Sequence, residues 1–352
     1  MRKQLLRYSK KLYIKRIFAV TVVLTLILFQ NINSYACTIF TKQQGNMVLV
    51  GNNEDFYYSY DSNIWFVAAT KDSYGRVCFA NSSYVQGGMN EKGLFYDGAA
   101  CPSTNVPYSA NKPTLGMDFG EVILSKCSDV YEAVEFLKNH NIPSGFGDHI
   151  LFADETGKSV IVEWVEGEMK VVSKEQDYQI ATNYFLSNPK LGGYPSKRYD
   201  TAKSMLENDE LISVESFKNI LSAVSQEGKD KGTKYSNIYD LRKKDVYVFT
   251  KRDFSKYVFF NLDEELKKLK TGEKKLYSID KLEYKTFENI SSNSESNAAD
   301  SSKGISDSSS NPTQIDKPDK STEQPANKFE YKLYYSIPVV LVIFTFFIKR
   351  LH

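Results

Sequence analysis

The stretch Ser34-Tyr35-Ala36-Cys37-Thr38-Ile39-Phe40 joins a hydrophobic leader to the first predicted strand. The leader has a basic segment that ends at Lys15-Arg16 and an apolar run from Ile17 to Phe29, followed by small residues before the junction. This order is typical of a secretory signal peptide that is cleaved after Ala36. Cleavage there would make Cys37 the first residue of the mature protein. Its thiol and a free α-amine would then belong to one residue, so the nucleophile would carry its own base.

Two other interpretations of the leader remain open. The long basic segment permits an uncleaved membrane anchor. Lipidation of Cys37, as in bacterial lipoproteins, is the second, but Ser34 and Tyr35 fit that recognition sequence badly. Lipidation would also acylate the α-amine, which could then not act as a base.

Composition excludes one class of function. The first 36 residues carry seven Lys or Arg and no acid, so their removal takes the formal charge from +2 to −5. A mature protein of that charge without a clustered basic stripe is a poor nucleic-acid binder. A hydrophobic content of 41% over 352 residues is enough for a substantial core.

The four cysteines are Cys37, Cys78, Cys101 and Cys127. If Cys37 is reactive, at most one disulfide forms among the other three. Their spacings match no zinc-binding pattern, which favours small buried hydrophobic residues over metal ligands.

The chain from residue 37 to residue 288 has strand patterns first, then helix patterns, then strands again. The predicted strands are Cys37–Thr41, Met47–Val50, Ile64–Ala69, Leu94–Tyr96, His149–Ala153, Ser159–Trp164, Tyr178–Thr182, Asp245–Thr250 and Tyr257–Asn261. The predicted helices are Asp129–Asn139, Ser196–Asn208 and one opened by Ser213 and Ser216. This order predicts sheets covered by helices rather than a regular βαβ repeat.

The remaining residues predict a tether. Residues 289–328 are rich in serine and too poor in apolar residues to fold, which predicts a disordered stalk. Residues 329–352 contain the apolar run Leu333 to Ile348, followed by the basic pair Lys349-Arg350. This pattern predicts a C-terminal transmembrane anchor with its basic end inside. The globular domain is therefore expected at the extracellular face of the cell membrane.

The sequence offers few histidines as partners for a cysteine nucleophile. His140 ends a helix, His149 opens a strand, and His352 lies beyond the apolar run. The α-amine of Cys37 would make them unnecessary, because its ordinary pKa of about 7.7 to 8.0 lies close to that of a thiol near 8.5.

Five short motifs follow one another from the junction onward. They are Cys37-Thr38-Ile39-Phe40, Gly51-Asn52-Asn53-Glu54-Asp55-Phe56, Gly88-Met89-Asn90-Glu91-Lys92-Gly93-Leu94, Thr182-Asn183 and Pro195-Ser196-Lys197-Arg198. In this order they resemble the motifs of the choloylglycine hydrolase and penicillin V acylase family, the linear amide C–N hydrolases of the N-terminal nucleophile type. The resemblance covers roughly residues 37 to 285.

The resemblance implies an α+β fold, a four-layer αββα sandwich, and hydrolysis of a linear amide through a thioester on Cys37. It implies that Asp55 holds the α-ammonium of Cys37, and that Asn183 and Asn90 donate to the oxyanion. Arg198 would stabilise charge around the nucleophile. No metal or organic cofactor is implied. The implied partner is a small-molecule N-acyl amide, with the membrane as anchor, and a homo-oligomer is left open.

Two departures from the family pattern affect the substrate. Asn52 stands where the bile-salt-cleaving members have arginine, and Phe56 replaces a tryptophan. Bile-acid conjugates, phenoxyacetyl amides, N-acyl amino acids and peptide-like amides are therefore not ranked. Aromatic residues such as Tyr57, Tyr58, Tyr60, Trp65 and Phe66 would suit an apolar acyl pocket or the core.

Two alternative functions stay open at this point. The first keeps the fold and transfers the acyl group to an amine acceptor. The second is a non-catalytic binding module displayed on the surface, which would be marked by an intact leader or a lipidated Cys37 and by ligand binding without turnover.

Overall fold

A computed structural model describes residues 37–102, 104–144 and 146–286. The predicted signal peptide (1–36), the stalk (289–328) and the C-terminal anchor (329–352) lie outside these residues, so the structure leaves those predictions as they stand. Within the described ranges, no helix has the length and apolar character that a membrane crossing requires.

Fifteen strands in the described part of the chain form two antiparallel sheets. In chain order they are β1 (Thr38–Gln44), β2 (Met47–Tyr57), β3 (Ser62–Val67), β4 (Arg76–Asn81), β5 (Tyr84–Asn90), β6 (Phe95–Ala100), β7 (Asp148–Ala153), β8 (Ser159–Val165), β9 (Glu168–Ser173), β10 (Tyr178–Ala181), β11 (Lys231–Asp240), β12 (Asp245–Thr250), β13 (Asp253–Asn261), β14 (Lys274–Ser278) and β15 (Lys285–Thr286). The seven-stranded sheet has the order β10-β1-β2-β11-β12-β13-β15, and the eight-stranded sheet has the order β14-β3-β4-β5-β6-β7-β8-β9.

Helices cover the outer faces of both sheets. They are α1 (Phe119–Lys126), α2 (Val130–Lys138), α3 (Lys197–Asn208) and α4 (Val214–Val224). The short α5 (Leu262–Lys267) and a 3-10 turn at Ile279–Lys281 instead contribute Leu262 and Ile279 to the apolar cluster between the sheets. The apolar sides of α1 and α2 pack on the eight-stranded sheet, and those of α3 and α4 pack on the seven-stranded sheet. A third apolar cluster fills the space between the sheets. The four-layer αββα sandwich predicted from the resemblance is confirmed.

The buried residues between the two sheets form what we call the inter-sheet layer, and β2 supplies much of it. Met47–Tyr57 forms one continuous strand, because β11 pairs with it as far as Tyr57, while β1 pairs with it on the other side as far as Asn53. Successive side chains of a strand point to opposite faces. Val50 lies in the inter-sheet layer and Leu49 packs under the helices. Glu54 therefore shares the face of Val50, and Asp55 shares the face of Leu49.

The helix that carries the predicted arginine begins where the sequence indicates. The Ser196 side chain accepts a hydrogen bond from Tyr199 N at the start of α3. Ser213 and Ser216 form a reciprocal capping box at the start of α4, as their spacing predicts. All four cysteines are free.

Candidate active site

Cys37 lies directly before β1, at the end of the inter-sheet layer. Its side chain is buried, because β1 is paired on both sides, with β10 and with β2, and Cys37 packs into the inter-sheet layer. The thiol donates a hydrogen bond to Oε2 of Glu54, with Sγ and Oε2 3.3 Å apart. The predicted nucleophile is therefore held against a buried carboxyl group.

Sequence reasoning missed Glu54 although it stands inside a quoted motif. Its Oε1 accepts a hydrogen bond of 2.7 Å from Asn81 Nδ2. The alternation of side chains along β2 could have revealed Glu54. If the predicted strand is extended through the motif, Glu54 falls on the same inner face as Val48 and Val50. The predicted strand, Met47–Val50, stops short of the motif, whereas the observed strand continues to Tyr57.

The surroundings of the thiol disfavour its ionised form. Burial raises the pKa of Cys37 well above its usual range, and the charges of Glu54, Asp55 and Asp97 raise this pKa further. The backbone N–H of Asp55 acts in the opposite direction by hydrogen bonding to the sulfur. Burial also raises the pKa of Glu54 to about 7, although hydrogen bonds from Cys37 and Asn81 limit the rise.

A second buried carboxyl group lies in the same layer. Asp97 on β6 is 1% exposed, and its Oδ1 has no hydrogen-bond partner among the residues described. Burial, and next the charge of Glu54, raise the pKa of Asp97 well above its ordinary value.

Asp55 lies on the other face of β2, towards the helices. Its carboxylate accepts hydrogen bonds from Thr233 Oγ1 and Gln226 Nε2, and its Oδ2 lies 3.8 Å from Arg198 Nη1. Burial raises the pKa of Asp55 to about 6, with Thr233, Arg198 and Gln226 holding it down. The structure therefore places Asp55 beside Cys37, and its predicted contact with the α-ammonium stays a prediction.

Arg198, in the first turn of α3, connects the predicted site residues. Its Nη1 donates to the carbonyl oxygen of Cys37 at 3.1 Å and to Thr38 Oγ1 at 2.5 Å. Its Nη2 donates to Oδ1 of Asn183. Burial lowers the pKa of Arg198, and the charges of Asp55 and Cys37 oppose that effect. One guanidinium thus joins the nucleophile, its neighbouring carboxylate and the predicted oxyanion donor.

Asn183 is oriented so that its amide nitrogen remains a donor. Because Arg198 can only donate, the atom it contacts is the carbonyl Oδ1 of Asn183. Asn183 Nδ2 donates one hydrogen bond to Ala100 O at 2.7 Å. The second N–H has no partner in the described part of the chain. It is therefore free to donate to a developing oxyanion.

The contacts of Asn90 differ from those that its predicted role requires. Its Nδ2 donates to the carbonyl oxygens of Leu124 at 2.8 Å and Cys127 at 2.7 Å, and both of its N–H groups are used. Its Oδ1 accepts from the backbone N–H groups of Lys92 and Leu94. Asn90 therefore fixes the β5–β6 turn against the end of α1. Its predicted role as an oxyanion donor is wrong, because it has no N–H left to offer.

A buried ion pair supports the segment that carries Asn183. His149 Nδ1 lies 3.1 Å from Glu163 Oε1, and His149 Nε2 lies 2.7 Å from Thr182 O. Both partners can only accept, so both ring nitrogens donate and the ring is an imidazolium. Burial lowers the pKa of His149, but Cys101 and Glu163 together raise it to about 10. His149 has the structural role that is usual for a histidine at the start of a strand.

Glu163 completes this support from β8. It accepts hydrogen bonds from the backbone N–H groups of Leu186 at 2.7 Å and Ser187 at 2.9 Å. Burial raises its pKa, but the hydrogen bonds from His149 and Ser187 outweigh burial and leave the pKa of Glu163 below its ordinary value. The His149–Glu163 pair therefore ties down the chain on both sides of Asn183.

The aromatic residues considered for an acyl pocket separate into two groups. Trp65 and Phe66 are buried in the core, whereas Tyr57 and Tyr58 are 47% and 40% exposed. A cavity of about 340 Å³ beside Tyr58 has a mainly polar and charged lining: Ser62, Glu227, Thr233, Lys234, Lys251, Arg252 and Asp280, with Ile279.

Comparisons with known proteins identify related sequences and folds. A sequence model of the family described as acyl-coenzyme A:6-aminopenicillanic acid acyl-transferase matches residues 41–256, more than half of the chain. No curated protein matches. The solved structures that match include a variant of the conjugated bile acid hydrolase from Clostridium perfringens, with 20% identity, a TM-score of 0.56, and coverage of 69% of this chain and 97% of that chain.

Two further solved structures have the same fold. A second mutant of the Clostridium perfringens enzyme has 21% identity, a TM-score of 0.56, and coverage of 69% of this chain and 96% of that chain. Penicillin V acylase from Agrobacterium tumefaciens has 18% identity, a TM-score of 0.55, and coverage of 68% of this chain and 90% of that chain. At these identities the likeness establishes the two-sheet sandwich and nothing finer.

Proposed function

Because this chain belongs to the acyl-coenzyme A:6-aminopenicillanic acid acyl-transferase family, we propose that it cleaves the C–N bond of linear amides with Cys37 as its nucleophile. The family match and the solved structures confirm the resemblance that the motifs indicate. The relatives named as a bile acid hydrolase and a penicillin V acylase support a small N-acyl amide as the substrate class.

One observation carries the proposal: Arg198 links Cys37 to the amide of Asn183. The guanidinium binds the carbonyl oxygen of Cys37 and, through Nη2, Oδ1 of Asn183. A nucleophile and an oxyanion donor are thus held by one rigid, planar cation. Acyl transfer needs both groups at fixed positions around a single carbonyl carbon.

The proposed reaction starts when removal of the leader frees the α-amine of Cys37. The α-amine takes the thiol proton, and the sulfur attacks the amide carbonyl. The free N–H of Asn183 stabilises the oxyanion, and because Asn90 is committed elsewhere, Asn183 is the side chain that does so. The amine leaves with a proton and a thioester remains on Cys37. Water then releases the acid.

A second candidate reaction is acyl transfer to an amine instead of water. The description of the matching family as an acyl-transferase favours it. Product analysis separates the two: hydrolysis yields the free acid whether or not an amine is added, whereas transfer yields a new amide in proportion to the added amine.

We further propose that the domain is exported and tethered at the extracellular face of the cell membrane. The leader pattern of residues 1–36 and the apolar run of residues 329–352 support this proposal. Protease treatment of intact cells tests it, because an exterior domain is released and a cytoplasmic domain is not.

The test of the function is replacement of Cys37 by Ala, assayed on a panel of N-acyl amides. We expect turnover to fall by about 10³-fold or more while the thermal unfolding transition is retained. The matched control is Cys127→Ala, because Cys127 is a buried thiol in the outer layer beside α1. Turnover near wild type in Cys37→Ala would exclude the proposed nucleophile.

A further inference from the structure

The contact between Glu54 and the thiol is enclosed in the protein. Glu54 has no exposed surface and Cys37 is 7% exposed. When Glu54 is ionised, the S–H group is the only donor of the pair, so the thiol donates and Oε2 accepts over the 3.3 Å contact. The thiol proton of Cys37 thus has a defined position, between Sγ and Oε2.

The other carboxylate oxygen is fixed by a chain of donors. Lys234 Nζ and Ser62 Oγ lie 3.3 and 3.2 Å from Asn81 Oδ1. An ammonium can only donate, so Oδ1 of Asn81 is the acceptor and Nδ2 must face Glu54. The Asn81 amide therefore occupies Oε1, which leaves Oε2 as the oxygen that faces the sulfur.

The strands around Glu54 supply charged and titratable groups that act on it, either across the inter-sheet layer or, for Asp55, from the opposite face of β2. They are Cys37 beside β1, Asp55 on β2 itself, Asp97 on β6, and Lys234, Tyr235 and Tyr239 on β11. The cation among them reaches Glu54 through Asn81, since Lys234 Nζ itself bonds Tyr60 O and Asn81 Oδ1. The carboxyl groups outnumber the cation in this group, to which removal of the leader would add the α-amine of Cys37 itself.

A carboxylate in contact with a thiol opposes ionisation of the sulfur, because a second negative charge would form beside the first. Only the thiolate reacts readily with electrophiles and oxidants. The backbone N–H of Asp55 favours the thiolate, but burial and the nearby carboxylates outweigh it. The geometry therefore suppresses the reactivity of Cys37 in the absence of substrate.

We propose that Glu54 is a positioning residue that protects the nucleophile: its carboxylate holds the Cys37 proton and keeps the sulfur in the thiol form while no substrate is bound. This inference rests on the proposed role of Cys37 as the nucleophile. It assigns a control on that residue which neither the motifs nor the matching family specifies. An exported enzyme meets an oxidising environment, in which an unprotected thiolate is readily lost.

The test is the rate at which iodoacetamide alkylates Cys37 in the mature protein, followed by mass spectrometry of the peptide that contains it. We compare wild type with Glu54→Gln from about pH 5 to about pH 8.5. At the acid end Glu54 is neutral, so the two rates should be nearly equal. At the alkaline end we expect the variant to react about tenfold faster or more, which corresponds to one unit in the pKa of the thiol.

Two further variants separate charge from structural disturbance. Asp97→Asn removes a carboxylate that lies in the same layer but does not bond the sulfur. We expect it to accelerate alkylation of Cys37 less than Glu54→Gln does. Glu54→Met repeats the loss of charge with a side chain of similar volume, which keeps the test valid if Glu54→Gln does not fold.

A loosened structure would expose Cys37 equally at every pH, so an acceleration independent of pH overturns the proposal. A slower or unchanged rate in both Glu54 variants overturns it as well. The measurement follows alkylation of the sulfur and does not depend on the hydrolysis of any amide substrate. The two proposals can therefore fail separately. If the protein hydrolyses no amide but Glu54→Gln accelerates alkylation in a pH-dependent way, the proposed function is contradicted and the effect of Glu54 on the thiol is supported. If the protein hydrolyses amides but alkylation is not accelerated, the proposed function stands and the role of Glu54 is overturned.

Discussion

Two buried glutamates in the inter-sheet layer have opposite surroundings. Glu163 is paired with the imidazolium of His149 and accepts two backbone N–H groups, and its pKa lies below the ordinary value. Glu54 receives one amide N–H and one thiol, and burial raises its pKa to about 7.

This difference in hydrogen-bond donors distinguishes a glutamate with a structural role from one that can exchange a proton. A buried carboxylate with a full set of donors stabilises the fold and has no reason to change its protonation state. A buried carboxylate with no cation bound to it directly has a raised pKa, so it can gain or lose a proton near neutral pH. Glu163 therefore supports the segment that carries Asn183, and Glu54 is the glutamate that contacts the proposed nucleophile Cys37.

The largest effect is expected from making Glu163 resemble Glu54. Replacing His149 with Leu leaves the Glu163 carboxylate without its cation, and we expect the free energy of unfolding to fall by about 3–5 kcal/mol at neutral pH. Urea denaturation measures it. The double variant with Glu163→Gln removes the stranded charge and should recover a large part of the loss. Equal stability of wild type and His149→Leu would contradict the assigned ion pair.

Asparagine variants test whether Asn183, which the Glu163 pair supports, is the residue that serves the proposed reaction. Asn183→Ala removes the free N–H, and we expect kcat to fall by about 10²–10³, which is the usual cost of losing one oxyanion donor. Asn90→Ala is the matched control, because Asn90 bonds only backbone groups. It should lower the unfolding temperature and leave kcat of the folded protein unchanged. The reverse pattern would restore Asn90 as the oxyanion donor.

The two glutamates should also differ in how they link pH to stability. Glu54 has a raised pKa, so its contribution is fully present below its ordinary value of 4.5 and is lost as pH rises through about 7. Relative to wild type, Glu54→Gln should therefore gain stability with rising pH, by about 3 kcal/mol at most.

Glu163 should behave with the opposite sign. Its lowered pKa means that its contribution is present above the ordinary value and lost as pH falls. The deficit of Glu163→Gln relative to wild type should therefore shrink on acidification. Urea titrations at several pH values measure both variants. If the stability of both variants relative to wild type changed with pH in the same direction, the distinction between Glu54 and Glu163 would be contradicted.

The smallest effect is expected outside the inter-sheet layer. Ser213→Ala removes the side chain that caps α4, which should cost about 1 kcal/mol of unfolding free energy. The alkylation rate of Cys37 and its pH dependence should not change. A change in either would mean that the outer helices influence the thiol through the sheet.

Residue patterns predicted sheets covered by helices, and three of the five helices in the described residues, because these elements have clear periodicity, whereas the four-layer arrangement was implied by the family resemblance. The stripe of α2 and the caps of α3 and α4 are local features that a pattern can reveal. The sequence analysis also placed Cys37, Asp55, Asn183 and Arg198 in one site through motif order. The structure brings these four residues together, and their catalytic roles remain predictions.

Other parts of the fold and of the site depend on contacts between distant segments, which no local sequence pattern reveals. β11, over Lys231–Asp240, is buried along almost its whole length although its sequence is largely polar. Its polar side chains are satisfied by partners far along the chain, as in the bond from Thr233 to Asp55. Glu54 was missed for the same reason, and Asn90 was misassigned because a motif does not say which hydrogens are already used.

In the proposed mechanism Cys37 becomes an N-terminal nucleophile. Intact-protein mass spectrometry of the exported protein, before and after mixing with an N-acyl amide that it cleaves, shows whether it does. We expect a mature chain that starts at an unmodified Cys37 and a transient acyl adduct on that residue. A chain that starts elsewhere, a lipidated Cys37, or an adduct on another residue would contradict it.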